Sequence, residues 1–393
     1  MAHTEPVVIV GGGPAALAVA RGYRAARGSG PVTMLSAEAR PPYRRPPLTK
    51  EYLRGRIGAS DLLLEDLGWF SQRAVDLRCG TRAVRLDPAR RVVLTVDGDE
   101  LAFDECVLCT GSEPVRPPVP GAEGSRVHVI RTVEDAAAVA AVAHAGARIV
   151  VIGSGFIGCE AAASLAMRGA LVTMVTPEHT PQDERLGREV GDRLRAWLTE
   201  AGVEVVAEAT VTEISEPGEG GLRILLEDGD EISCDRVVLG TGVRPRTALA
   251  ESAGLAVEDG AVPTDPSMRT AIEGVRCAGD LALAHNPTAG RRLRVEHWGE
   301  ALAQGEVAGR AIAGEDAAWD TVPGFWSTIG LRTIKQAAWG DGWDEVLVDS
   351  DADGFTAWYG KDARVVGVVT HERDGDYVRG RRLVATGAAW PPR

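Results

Sequence analysis

One local pattern occurs twice in this sequence, and the repetition constrains the fold more than any other feature. The apolar run Val7–Val10 stops at Gly11-Gly12-Gly13, and a small-residue helical stretch follows from Ala15 to Ala26. Arg148–Ile152 runs in the same way into Gly153-Ser154-Gly155-Phe156-Ile157-Gly158, then into a helical stretch reaching about Arg168. Each copy is closed by a second apolar run, Val32–Leu35 and Leu171–Val175. Such short continuous runs read as parallel strands buried on both faces. Strand, glycine turn, helix and strand make a βαβ unit, the context that gives a glycine fingerprint its meaning. At this spacing the repeat is a duplicated unit and not a solenoid.

The glycines have definite work. Gly11 permits the tight turn from strand to helix, and Gly13 lets a pyrophosphate approach the backbone. Ala16 stands where a third glycine often does and is small enough for close helix–strand packing. Phosphate oxygens then meet free N–H groups and the positive end of the helix. Gly153, Gly155 and Gly158 repeat the arrangement. Two such sites in one chain point to two dinucleotides, a tightly held flavin and an exchangeable nicotinamide, with hydride passing between them. The ribose-binding acid is expected roughly 20 residues after the glycines. Glu38 is the candidate in the first unit. In the second, Thr176 ends the strand, Glu178 is nearby, and His179 and Arg185 could face a 2′-phosphate. NADH is favoured because no Arg or Lys stands at the strand end; NADPH stays open.

The remaining chain fits a larger α/β plan. Cys106–Gly111 and Val237–Gly242 are a second pair of similar strand–turn segments, and Val275–Cys277 leads to Ala278-Gly279-Asp280. Asp280 stands at a strand end, before a helix expected from about Leu281, where its carboxylate could accept sugar hydroxyls or cap the helix. Pro114–Pro120 reads as a linker. After Val322 tryptophans cluster (Trp326, Trp339, Trp343, Trp358) and short strands alternate at Glu345–Val348, Phe355–Tyr359 and Val365–Thr370. The fold expected is α/β: two Rossmann-like dinucleotide-binding domains, one inserted in the other, and a small C-terminal α+β domain.

Charge and composition exclude other classes. With 56 acidic and 43 basic residues the net charge is −13, which disfavours nucleic acid and anionic membranes as partners. No stretch approaches the roughly 20 apolar residues of a membrane span, and the first apolar run is too short for a signal peptide. Six scattered cysteines suit a reducing cytosol. Cys106 and Cys109 form a CxxC, but inside an apolar strand, whereas a redox dithiol wants a helix N-terminus. Neither the cysteines nor the seven histidines are spaced for a zinc site or an intrinsic iron–sulfur cluster.

These motifs, in this order, resemble the FAD-dependent ferredoxin reductases that serve oxygenases and cytochromes P450, the putidaredoxin, rubredoxin and biphenyl-dioxygenase reductases, which are related to apoptosis-inducing factor. The resemblance covers nearly the whole chain. It includes Gly11-x-Gly13, Pro46-Pro47-Leu48-Thr49-Lys50, Cys109-Thr110-Gly111, Gly153-x-Gly155-x-x-Gly158-x-Glu160, Thr270 through Gly279-Asp280, Glu296-His297-Trp298 and Phe325-Trp326-Ser327.

The resemblance implies an FAD domain at 1–113 and 242–320, an NAD(P)H domain at 114–241 and an interface domain at 321–393. It implies that Lys50 and Glu160 pair beside the flavin and serve hydride transfer. Arg45, Thr110, Gly111, Gly279, Asp280 and Trp298 would help hold FAD. Arg45 could equally sit in solvent and Trp298 in a core. Arg44 and Thr176 depart from the family, which has acids at both positions. The implied partner is a small ferredoxin, with a 2Fe–2S or related cluster, that feeds a P450 or another oxygenase. Arg291, Arg292, Arg294, Arg310, Arg332 and Lys335 could form a basic patch for it, or lie scattered. Two other readings share the fold: an NADH oxidase or quinone reductase, and a flavin scaffold like apoptosis-inducing factor.

Overall fold

The computed structural model describes residues 3–218 and 220–392. The chain divides into two compact units. One comprises residues up to Arg44, Leu63–Glu113 and Arg244–Phe325; the other comprises Arg45–Leu62, Pro114–Val243 and the chain from Trp326 onward. The Arg45–Leu62 excursion thus groups with the second unit, as does the C-terminal segment.

Each unit is built on a five-stranded parallel sheet. In the first the strand order is Val275–Cys277, Glu105–Leu108, Val7–Val10, Val32–Ser36 and Val75–Cys79. In the second it is Val203–Val206, Leu171–Val175, Arg148–Ile152, Arg236–Leu239 and Val127–His128. Both sheets put the fingerprint strand at the centre, with the strand after the helix as its neighbour. Val7–Val10 is buried at every position, which parallel pairing on both sides requires. The duplication extends further than the glycine motifs. A three-stranded antiparallel sheet, Ala83–Asp87, Val92–Thr95 and Glu100–Ala102, precedes Glu105–Leu108. Its counterpart, Val211–Ser215, Leu222–Leu226 and Glu231–Cys234, precedes Arg236–Leu239.

Two helices of the first unit approach closely. Pro14–Ala25 starts at the first fingerprint, and Trp298–Ile312 packs along it. A Cβ on Gly305 would stand 2.3 Å from the Ala15 carbonyl oxygen, and one on Gly309 would stand 2.1 Å from that of Val19. Only glycine fits there, and the small residues of both helices meet backbone to backbone.

The C-terminal segment folds as the alternating strands foretold. Arg332–Ala338, Arg364–His371, Phe355–Lys361 and Glu345–Ser350 pair antiparallel in that order, and helix Asp374–Ala385 covers them. One local expectation fails. The chain after Asp280 is not a helix: a single 3-10 turn, Gly279–Leu281, leads into the strand Ala282–Asn286. That strand pairs with Val262–Thr264 on one side and Arg291–Arg294 on the other. Pairing with strands on both sides, one of them the other arm of a hairpin, overrides local alanine propensity. Among the described residues no helix is long and apolar enough to cross a membrane.

Candidate functional site

The first cradle fits a flavin dinucleotide. Gly11 has φ +150° and a Cβ there would lie 2.2 Å from the Cys109 carbonyl oxygen, so the turn is closed to any side chain. At Gly13 a Cβ would meet nothing within 4 Å. The same residue starts the helix, and no side chain of the described residues caps it. Open space in front of uncapped helix N–H groups is what a pyrophosphate requires. Ala16 is fully buried behind the turn. Glu38, past the end of Val32–Ser36, accepts a hydrogen bond from the Tyr43 hydroxyl at 2.5 Å. The carboxylate therefore has a fixed lie at the strand end.

Gly279 and Asp280 sit in the same unit. Gly279 has φ +78°, and its N–H donates to Oε1 of the buried Gln304 at 2.9 Å. Asp280 accepts from the Ser112 hydroxyl at 2.5 Å. Asp280 is therefore no helix cap. Thr110 donates from Oγ1 to the Arg246 carbonyl at 2.8 Å, next to Gly111 at φ +65°. Trp298 opens the helix that runs to Ile312 and is half-buried. Sequence reasoning missed Ser112 and Gln304; nothing in their local pattern sets them apart.

The second cradle repeats the first with different supports. A Cβ on Gly153 (φ +101°) would lie 2.6 Å from the Gly240 carbonyl oxygen, and one on Gly158 would lie 2.1 Å from that of Gly153. Gly155 begins the helix Phe156–Ala166, again with no side-chain cap among the described residues. Thr176, at the strand end, is buried. Its hydroxyl lies 2.7 Å from that of Ser154, and Ser154 donates to Glu178 at 2.5 Å. The N–H groups of Gln182 and Glu184 also donate to Glu178, each at 3.2 Å. A carboxylate with three donors thus sits beside the fingerprint turn, two positions beyond Thr176. These residues fit a dinucleotide whose ribose offers free hydroxyls.

Lys50 and Glu160 meet in the second unit. The prolines at 46 and 47 set the φ of a short 3-10 turn, Pro46–Thr49, which ends at Lys50. Ser164 on the fingerprint helix donates to the Thr49 carbonyl at 2.7 Å and anchors the turn. Lys50 Nζ lies 2.5 Å from Glu160 Oε2 and donates also to the Pro46 carbonyl at 2.9 Å. Glu160 Oε2 takes a further bond from the Thr49 hydroxyl at 2.6 Å. Its Oε1 accepts from the Ser327 hydroxyl at 2.8 Å and the Thr328 N–H at 3.3 Å. Glu160 is only 4% exposed and Lys50 6%. A buried ion pair is tolerable only when its remaining lone pairs and protons are met, as they are here. Arg45, five residues before Lys50, donates to the Arg131 carbonyl at 2.7 Å.

The thiols are placed away from redox work. Cys106 and Cys109 are buried, and burial pushes both thiols far above the usual range. Cys159 behaves in the same way, and burial lifts Cys234 to about 11.

The basic residues that could form a patch, or lie scattered, mostly have acidic partners of their own. Arg292 pairs with Glu258 at 2.8 Å, Arg310 with Glu315 at 2.6 Å and Lys335 with Asp374 at 2.6 Å. Arg332 pairs with Glu200, and Arg294 lies 3.5 Å from Glu296. Arg291 donates to the Arg292 carbonyl at 3.3 Å. Neighbouring acids offset most of these charges, as the acidic composition makes easy.

Two glycine cradles, each with an anchored acid, define a two-dinucleotide oxidoreductase. Residues 5–305 match the pyridine nucleotide-disulphide oxidoreductase family, and the chain belongs to it. It is 34% identical over 391 residues to the ferredoxin–NAD(+) reductase component of the anthranilate 1,2-dioxygenase system of Burkholderia cepacia, spanning 99% of this chain and 96% of that protein. It is 33% identical to a ferredoxin–NAD(P)(+) reductase of Sphingomonas sp, over 98% of this chain and 94% of that one. Among solved structures, that of the covalent putidaredoxin reductase–putidaredoxin complex superposes with a TM-score of 0.92 at 28% identity, covering 98% of this chain and 94% of that chain.

Proposed function

We propose that this chain is an NAD(P)H-dependent, FAD-containing ferredoxin reductase. It takes electrons from NADH and passes them to a small iron–sulfur ferredoxin serving a P450 or another oxygenase. The observation that carries this reading is end-to-end similarity to reductase components of that kind, in a chain whose two fingerprint helices both start without a side-chain cap. FAD held there would supply the chemistry that couples a two-electron donor to a one-electron carrier.

The residues divide the work. Gly11, Gly13, Ala16, Glu38, Thr110, Gly111, Gly279 and Asp280 hold the flavin, with Arg45 and Trp298 as further contacts. Gly153, Gly155, Gly158 and Glu178 hold the nicotinamide nucleotide. Lys50 supplies a fixed positive charge for negative charge that develops as hydride arrives. Glu160, on the helix behind the second fingerprint, fixes the Lys50 ammonium, and Thr49 and Ser327 fix Glu160. With all six cysteines free, the protein suits a reducing cytosol.

The test is steady-state cytochrome c reduction with NADH or NADPH, with and without 2Fe–2S ferredoxins. NADH-driven reduction that rises with added ferredoxin supports the assignment. Rapid reoxidation of the flavin by oxygen or quinone, with no ferredoxin effect, would sink it in favour of an oxidase or quinone reductase.

A further inference from the structure

The short helix Asp183–Leu186 is held at both ends by unrelated parts of its unit. On one side it is tied to the second fingerprint. Gln182 adopts a left-handed backbone, φ +64°, although it is not glycine. Such a conformation persists only where the surroundings enforce it. Here the Gln182 side chain donates to the Ser154 carbonyl at 2.8 Å, while the N–H groups of Gln182 and Glu184 reach Glu178. The lie of the Glu178 carboxylate is therefore set by this turn.

The other side is tied to the C-terminal sheet. Trp343 Nε1 donates to the Arg185 carbonyl at 3.1 Å, and the buried Tyr359 hydroxyl donates to the Leu186 carbonyl at 2.8 Å. The two rings stand 5.7 Å apart. Gly187 leaves room for the indole: a Cβ there would lie 3.0 Å from two ring carbons of Trp343. The Arg185 guanidinium lies over the ring of Phe156, the first residue of the fingerprint helix, at 5.6 Å. Neither Trp343 nor Tyr359 belongs to a nucleotide motif.

We infer that Trp343 and Tyr359 are positioning residues for the choice of nicotinamide nucleotide: by holding the Arg185 and Leu186 carbonyls they fix the turn that fixes Glu178. The inference rests on the proposed role of Glu178 at the adenosine ribose. A carboxylate held still accepts bonds from a ribose diol in one geometry and repels a 2′-phosphate from the same place. A carboxylate free to swing loses the first effect and relaxes the second. The nearby cations point the same way. His179 lies 3.3 Å from Glu208 and contacts Arg188, and a loosened turn would free both for a phosphate.

The experiment measures calorimetric binding of 5′-AMP and 2′,5′-ADP to the flavin-loaded protein, for wild type, Tyr359→Phe, Trp343→Phe and the double variant. Steady-state NADH kinetics are recorded beside it. Losing one such hydrogen bond should weaken 5′-AMP binding about fivefold, while 2′,5′-ADP binding holds or improves. KM for NADH should rise by a similar factor with kcat retained. Equal weakening of both ligands, or unchanged binding of both in the double variant, overturns the inference. So does a fall in kcat with KM unmoved. Tyr359→Phe removes a single oxygen and keeps the readout available if the Trp343 variants fold poorly. Glu178→Gln separates the two layers: if it too leaves the ratio of the two affinities untouched, the assignment of Glu178 itself has failed.

Discussion

The two fingerprint cradles share a backbone plan and differ in what braces them. In the first, helix Pro14–Ala25 lies against Trp298–Ile312 with backbone contacts that exclude any side chain at Gly305 and Gly309. In the second, Gly153 and Gly158 also make close backbone contacts at the turn, but the bracing beyond the strand is polar. A hydroxyl pair, one carboxylate and a left-handed glutamine hold the loop beyond the strand, and Ile157 on the helix is 42% exposed. Close backbone packing leaves few alternative states, whereas a hydrogen-bonded loop opens at lower cost. The contrast suits a resident cofactor in one cradle and a visiting one in the other.

The largest effect is expected from Gly11→Ala. The new Cβ meets the Cys109 carbonyl oxygen in a backbone conformation that disfavours side chains, at a cost of about 3 kcal/mol or more. The purified variant should carry little flavin, measured as the flavin-to-protein ratio. Gly13→Ala sharpens the point, because open space surrounds that position. Its melting temperature should stay close to wild type while flavin affinity falls at least tenfold, by roughly the cost of a blocked phosphate contact. If both variants melt alike, the frame and the cradle are not separable.

Next comes Lys50→Ala. Removing one member of a buried pair costs about 3–5 kcal/mol, and losing the charge should slow flavin reduction by NADH roughly 100-fold. Stopped-flow absorbance gives the rate; an unchanged one removes Lys50 from the reaction. Glu178→Ala acts on the polar cradle alone. We expect KM for NADH to rise about tenfold, with KM for NADPH equal or lower and flavin content intact.

The smallest effect is a pH dependence of stability. The thiols of Cys106, Cys109, Cys159 and Cys277 have folded pKa values raised, chiefly by burial. The unfolded chain therefore releases their protons first, from about pH 8.5, and binds fewer protons than the native state above that. Stability is complete below that pH and declines as pH rises further. Melting temperatures from pH 7 to 10 would show it. Cys109→Ala should flatten the slope while changing turnover less than twofold.

What could be read from the sequence was what the backbone itself demands. Gly11, Gly153 and Gly158 stand where a close backbone contact admits no Cβ, Gly13 faces open space, and in each copy the glycines mark themselves by following directly on an apolar run. The paired strands and the C-terminal alternation follow from the same short-range rules. Lys50 and Glu160 stand 110 positions apart, and only the family resemblance joined them. Their supports were invisible: Thr49, Ser327 and the Thr328 N–H are ordinary residues until folding brings them to one carboxylate. The segment after Asp280 misled because Ala-Leu-Ala fits helix and buried strand equally, and the choice is made by pairing with Val262–Thr264 and with the hairpin arm Arg291–Arg294. The arginine run Arg291–Arg294 suggested a docking patch, yet it is an edge strand whose charges find acids close by.

The glycines at 305 and 309 bear on how the protein is made. The helix that completes the first unit is encoded in the last quarter of the chain, yet its partner is among the earliest residues synthesised. Until Trp298–Ile312 clears the ribosome, the N-terminal segments have nothing to close against. The intervening 114–243 stretch emerges earlier with its own sheet complete, so it is free to fold first. Closure of the first cradle then waits for the last quarter of the chain, and a chain truncated anywhere before residue 298 would lack the helix that packs against Pro14–Ala25.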